Sequence, residues 1–374
     1  MKTPLIFVSA GEPSGEMHAA RLAAALRART GAHIFGLGGP HMREAGVELL
    51  ADSSQVAVVG ISEVVRRLPS VWKVYRQLVE EAARRKPDLA ILVDFPDFNL
   101  RLARRLLRQG VRIVYFISPQ VWAWRPQRVQ LIRRLVSRVL CIFPFEEEFY
   151  QRADVPVNFV GHPLVDAVRP TMTREQFVER HHLDAKKPIV ALLPGSRLAE
   201  IAHNLPGMLA ACRLLEHDGK FHFVLAAALG IAKVSLQEHA RGGPALHIVE
   251  GATYDALAAA DCAIVSSGTA TVEAALLGAP MVVVYRVSAT TAFIARRMVR
   301  TPFFSMVNLI GGRRVVPEFI QEAFTPEAVA AEARRLLGSA EERETMRKDL
   351  AEVKRKLGPG GAIEKAAGII AGML

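Results

Sequence analysis

The chain has 374 residues, 51% hydrophobic and 23% charged, so it is globular, well cored and long enough for two domains. Its net charge of +11 suits nucleic acid, an anionic membrane surface or phosphorylated substrates. No apolar run reaches the roughly 18 residues of a membrane span. The N-terminus lacks the apolar stretch and cleavage site of a signal peptide, which points to a cytoplasmic location. Three scattered cysteines, Cys141, Cys212 and Cys262, read as buried core residues rather than a disulfide frame or a metal site.

In chain order, "LIFVSA" (5–10) is a strand that turns through "GEPSGE" into a helix near 17–29. The turn has the outline of an anion-binding loop, yet it carries Glu12, with Glu16 just after. "HIFGLGG" (33–39) is the next strand. Residues 60–87 then repeat Val64, Val65, Leu68, Val71, Trp72 and Tyr75 at helical spacing, with Arg and Lys between them. A helical pair broken at Pro69, apolar on one face and rimmed by cations, suits a membrane interface. A helix covering the first sheet has the same pattern.

"LAILVDF" (89–95) ends a buried strand with Asp94 as its last residue, followed by Asp97 and Asn99. A carboxylate at such a strand end is costly unless it is used or paired. Asp94 is therefore a candidate general base or a loop anchor. Asp97 fits an N-cap equally well. "RIVYFIS" (112–118) leads into Pro119, Gln120, Trp122, Trp124 and Arg125, which either wall off a sugar or fill core. "RVLCIFPF" (138–145), the helix "EEEFYQRA" and "VNFVGHP" (157–163) complete this half. His162 is given no chemistry.

The pattern restarts with "PIVALLPGS" (188–196), a helix over about 200–216, and strands "HFVLAAA" (222–228), "LHIVEG" (246–251), "CAIVSSG" (262–268) and "MVVVYR" (281–286). Continuous apolar strands alternating with helices predict two Rossmann-like, doubly wound parallel α/β domains. The expected division is 1–165, 166–350, and a C-terminal helical segment 351–374 packed on one of them. A hinge is expected near 164–175, with ligands in the cleft at the strands' carboxyl ends.

Two turns in the second half suit a diphosphate. "LPGSR" places Ser196 and Arg197 at a helix mouth. "SSGTATVE" places Ser267, Gly268 and Thr269 where helix amides point outward. Arg197 would neutralise a leaving group, and Glu273, one turn in, could accept from a ribose. Ordinary N-caps share this composition. Neither turn is a Walker A or GxGxxG motif, and there is no Asp-X-Asp pair, so no nucleotide cofactor or metal is expected.

Taken together, "SAGEPSGE", "GISEV", "DFPDFN", "SPQVWAWR", "FPFE", "GHPLVD", "LPGSR", "SSGTATVEAALLGAPMVVVYR" and "VNLIGGRRVVPE" resemble the lipid-A-disaccharide synthase family, from about residue 5 to 335. The resemblance implies an inverting, metal-independent glycosyltransferase of the GT-B type. It implies UDP-2,3-diacylglucosamine as donor and 2,3-diacylglucosamine 1-phosphate (lipid X) as acceptor, used at the cytoplasmic face of the inner membrane. Carried over, the essential aspartate is Asp94, the arginine of "LPGSR" is Arg197, the glutamate of the "SGTA" helix is Glu273, and the asparagine of "NL" is Asn308. Glu12 belongs to the family's active-site loop, on the acceptor side and away from phosphate. The 60–79 region matches the membrane-contacting helix. The family can form homodimers, including with exchanged C-terminal segments. Pro13, Glu16 and Phe95 depart from the family's usual Ala, Asp and Ala. The alternatives are another GT-B UDP-N-acetylglucosamine transferase or epimerase, or a non-catalytic nucleotide-sugar binder. Dispersed cations and the lack of an RNA-binding motif count against nucleic acid.

Overall fold

The computed structural model describes residues 3–56, 61–124, 126–216, 221–228, 230–298 and 301–374, without the side chains of 61–68, 124 and 294–298. The chain divides into two compact units. The first is Met1–Pro163 together with Gly358–Leu374, and the second is Leu164–Leu357.

The first unit is built on seven parallel strands. These are β1 (Leu5–Ala10), β2 (His33–Gly38), β3 (Glu48–Asp52), β4 (Leu89–Val93), β5 (Arg112–Phe116), β6 (Arg138–Cys141) and β7 (Val157–Phe159). Their order is β3-β2-β1-β4-β5-β6-β7. Helices cover both faces, so the central strands are almost continuously apolar, and all five residues of β4 are apolar and buried. The strand order reverses between β1 and β4, which pair with Ile6 beside Leu89 and Ala10 beside Val93. In such sheets ligands bind beyond the carboxyl ends at this reversal.

The second unit repeats the plan with β8 (Ile189–Leu193), β9 (His222–Ala227), β10 (Leu246–Glu250), β11 (Cys262–Ser266), β12 (Met281–Tyr285) and β13 (Glu318–Ile320). The order is β10-β9-β8-β11-β12-β13, with the reversal between β8 and β11. Both sheets are parallel throughout, and the three cysteines are free and buried.

Several expectations are corrected. A single helix, Ile61–Arg85, runs through Pro69 rather than breaking there; Pro69 is exposed, where water can serve the backbone its ring leaves unpaired. β4 stops at Val93, so Asp94 lies one residue beyond the strand. β7 stops at Phe159, short of His162. Residues 351–356 finish the helix Ala340–Lys356 of the second unit. The chain then returns to the first unit, where the helix Ala362–Ala371 packs on the helix Pro13–Thr30. An ion pair from Arg29 to Glu364 (2.8 Å) joins these two helices.

Candidate functional site

At the reversal of the first sheet, one buried asparagine holds the turn. Asn99 lies in the first turns of the helix Pro96–Arg108. Its Nδ2 donates to the carbonyls of Val93 (3.1 Å) and Asp94 (2.8 Å), and its Oδ1 accepts from Ser9 Oγ (2.7 Å). The ends of β1 and β4 are thereby tied together. The Tyr115 hydroxyl also donates to the Asp94 carbonyl (2.7 Å). Burial, then the Asp94 carboxylate, pushes the Tyr115 phenol well up, so it stays a donor.

Asp94 and Phe95 both adopt left-handed backbone, with φ of 45° and 50°. For residues with a Cβ this costs on the order of 1–2 kcal/mol each, and such strain persists where its surroundings impose it. The loop carrying Glu12 meets this turn on either side of that residue. A Cβ on Gly11 would fall 2.3 Å from the Phe95 ring, so only glycine fits. A Cβ on Gly15 would lie 3.6 Å from that of Asp94. Glu12 is half-buried at the N-cap position of Pro13–Thr30 and makes no capping bond with its side chain.

Glu16 has a structural task. It is buried and accepts from His41 Nδ1 (2.8 Å) and the Met42 amide (2.7 Å), so it anchors the loop after β2. Asp97 is not the N-cap, a position Phe95 occupies; it pairs with Arg128 at 2.7 Å.

Of the aromatic loop, Trp122 is half-buried and held in place. Its indole N–H donates to Glu146 Oε1 (3.0 Å) and its ring meets Phe145 edge-on at 4.8 Å. Burial lifts the Glu146 carboxyl to about 7. Gln120 is exposed and Pro119 buried. The Trp124 side chain and Arg125 lie outside the described residues. His162 is buried against Phe143, and burial lowers its pKa to about 3.

In the second unit Asn204, also fully buried, does what Asn99 does in the first. Its Nδ2 donates to Pro194 O (3.3 Å), Glu200 O (2.9 Å) and Ser266 Oγ (3.3 Å). Its Oδ1 accepts from the Arg286 amide (2.7 Å). Three strand ends, β8, β11 and β12, converge on this one side chain. Gly195 has φ of 134°, and a Cβ there would fall 2.6 Å from Glu200 Cβ. Ser196 and Arg197 follow it at the mouth of the helix Leu198–Glu216.

These donors already face an acid. Glu200 accepts from the Ser196 amide (3.1 Å) and from Arg197 Nη1 (3.1 Å), although the turn itself carries none. Glu200 thus stands where an anion would, a residue the sequence reading passed over. Beside it, burial and then the Glu200 charge raise the Tyr285 phenol.

The second turn is less open than expected. The Ser267 amide bonds to Val284 O (2.9 Å) and its hydroxyl to Phe304 O (3.2 Å). Gly268 is the exposed N-cap of the helix Thr269–Leu276; the Thr271 amide bonds back to its carbonyl (3.1 Å), which leaves the amides of Thr269 and Ala270 at the helix mouth. Glu273 accepts from the Tyr254 hydroxyl (3.1 Å), and burial raises its pKa. Asn308 is fully buried with its amide filled: Nδ2 donates to Val316 O and Glu318 Oε1, and Oδ1 accepts from the Val315 and Val316 amides. It supports the 312–318 loop.

On the helix Ile61–Arg85, Val74, Leu78 and Ala82 are buried at a four-residue spacing and pack the helix on the sheet. Trp72 is 59% exposed and stacks on Tyr75 at 5.3 Å. Val71 and Tyr75 are half-buried. The side chains of Val64, Val65 and Leu68 lie outside the described residues. Among the described residues no helix is long and apolar enough to cross a membrane, and no cluster of three His, Cys, Asp or Glu could hold a metal ion.

The family model described as lipid-A-disaccharide synthetase matches residues 6–369. The chain belongs to the lipid-A-disaccharide synthase family. The lipid-A-disaccharide synthase of Solibacter usitatus is 46% identical over 366 residues, covering 97% of this chain and 96% of that one. Among solved structures, the glycotransferase of kitacinnamycin matches with a TM-score of 0.65 at 15% identity, over 100% of both chains. S. aureus MnaA in its UDP co-structure matches at 0.67 and 14%, over 98% of this chain and 96% of that one. At those identities the two structures speak to the fold, which is GT-B. The family makes the chain a glycosyltransferase of lipid A disaccharide synthesis.

Proposed function

We propose that the chain transfers 2,3-diacylglucosamine from UDP to the 6-hydroxyl of 2,3-diacylglucosamine 1-phosphate, giving lipid A disaccharide 1-phosphate and UDP. Asp94 takes the hydroxyl proton. The acceptor oxygen bonds to the anomeric carbon while the bond to the UDP oxygen breaks, with inversion. Glu12 holds acceptor hydroxyls or orients Asp94. Arg197, the Ser196 amide and the first amides of Thr269–Leu276 take the charge developing on UDP. Glu273 takes the ribose, and Asn308 acts by holding its loop. The diphosphate would displace Glu200 from the donors it now occupies.

The observation that carries this reading is the left-handed turn at Asp94 and Phe95, pinned by Asn99 and Tyr115 at the sheet reversal. Strain fixed in this way is expected where a side chain must be aimed. For the second unit the support is Glu200, which shows two of the proposed donors already converging on one carboxylate. The positive charge and the exposed Trp72 support the reading that it works at the cytoplasmic face of the inner membrane, on lipid substrates.

The test is UDP release from the two lipid substrates in detergent. Wild type should release UDP, and Asp94→Asn should be slower by roughly 10²- to 10⁴-fold. Turnover of Asp94→Asn near the wild-type rate would remove the base assignment.

A further inference from the structure

The carboxylate at the ribose end of the proposed donor site is itself held. Glu273 lies four residues after Thr269, so the two share one face of the helix Thr269–Leu276, about 6 Å apart along its axis. Its Oε1 accepts from the Tyr254 hydroxyl (3.1 Å). Its Oε2 has no partner among the described residues and is not buried. One oxygen is engaged, and the other is left for a ligand. Burial raises the Glu273 pKa and the Tyr254 hydrogen bond opposes that rise, which favours the carboxylate as an acceptor.

Tyr254 is fixed in its turn. It sits in the first turn of the helix Thr253–Ala259, just after β10, between two residues tied elsewhere. Thr253 Oγ1 makes a long bond to Ala227 O at the end of β9 (3.5 Å). Asp255 is buried and accepts from the Thr171 and Met172 amides (2.6 and 2.8 Å). A ring anchored on both flanks brings its hydroxyl to Glu273 at little further entropic cost.

We propose that Tyr254 is a positioning residue for the donor: its hydroxyl holds Glu273 so that Oε2 meets the ribose hydroxyls, and thereby sets the preference of the site for a ribonucleotide. The inference rests on the proposed reading of Glu273 as the ribose acceptor. Tyr254 acts through Glu273 and does not touch the ribose. A hydroxyl bonded to a carboxylate is a strong hydrogen bond, but only when aligned. A sugar that lacks its hydroxyls would leave Oε2 unpaired, and such a site rejects it.

The test titrates UDP and 2′,3′-dideoxy-UDP into wild type, Tyr254→Phe, Glu273→Gln and the double variant, and reads the ratio of the two dissociation constants. The ratio cancels any change that weakens both ligands alike. Wild type should favour UDP by on the order of 10- to 100-fold. Tyr254→Phe keeps the ring and removes only the hydroxyl, and the ratio should fall several-fold. Glu273→Gln should abolish most of the preference. Adding Tyr254→Phe to Glu273→Gln should lower it no further, because the hydroxyl has lost the group it acts on. In turnover Tyr254→Phe should raise KM for the donor and leave kcat nearly unchanged, as loss of uniform binding does.

An unmoved ratio in Tyr254→Phe, with or without weaker binding of both ligands, would make the hydroxyl a packing feature and overturn the proposal. A further fall in the double variant would put the hydroxyl on the ribose itself and would also overturn it. Failure of the underlying reading looks different: Glu273→Gln would then keep the wild-type ratio.

Discussion

Two buried asparagines invite comparison. Asn99 in the first unit and Asn204 in the second each follow a strand end at the sheet reversal and bond to the backbone of neighbouring strand ends. The device is shared, but the chemistry it presents is opposite. Around Asn99 are an aspartate and a glutamate loop. Around Asn204 are a guanidinium, helix amides and a glycine turn. In the proposed reaction the one scaffold serves twice, once for an alcohol that must lose a proton and once for a leaving group that must gain positive neighbours.

The comparison can be broken by stability measurements. Asn204 accepts from a backbone N–H, that of Arg286, whereas Asn99 serves carbonyls, one of which keeps Tyr115 as a second donor. A buried group left unpaired costs roughly 1–3 kcal/mol. In urea unfolding, both Ala variants should lose at least that much, and Asn204→Ala should lose more. Equal losses would mean that the backbone N–H served by Asn204 and the second donor backing Asn99 make no energetic difference between the two networks.

It can also be sharpened kinetically. Arg197→Ala should lower kcat by roughly 10²- to 10³-fold, the usual cost of one donor to a developing charge. Glu200→Gln should weaken the hold on Arg197 and on the Ser196 amide without such a loss.

A pH effect should come from the first unit. The Glu146 carboxyl is lifted by burial from 4.5 to about 7. The folded state therefore binds its proton more tightly than the unfolded state does. Stability from this group is present below about 4.5 and is lost as pH rises through about 7, by up to about 3 kcal/mol. His18 and His162, lowered by burial to about 4 and about 3, act in the opposite sense, and stability rises with pH up to 6.5. The difference between wild type and Glu146→Gln isolates the carboxyl, and should run downward between pH 4.5 and 7. The smallest effect belongs to the Asp97–Arg128 pair, whose carboxylate is exposed; Asp97→Asn should cost less than about 1 kcal/mol.

The β/α alternation was legible because buried parallel strands are almost continuously apolar. β3 and β13 were not. "ELLAD" and "EFI" are short, half-buried edge strands whose pattern does not separate them from loop. Asp94 was legible as a residue whose type is costly at a strand end, and Arg197 as a cation at a helix mouth. Asn99, Asn204 and Glu200 were not read for their roles, because those depend on segments distant in sequence meeting, up to 90 residues apart for Asn99. The loop-holding role of Asn308 is hidden for the same reason: its four bonds to the following loop exist only once that loop is folded.

The division of labour between the units is tested most directly by titrating UDP into Asp94→Asn and Arg197→Ala in a calorimeter. Asp94→Asn should bind UDP as wild type does, and Arg197→Ala should bind it more weakly. UDP affinity lost in Asp94→Asn and kept in Arg197→Ala would contradict the account.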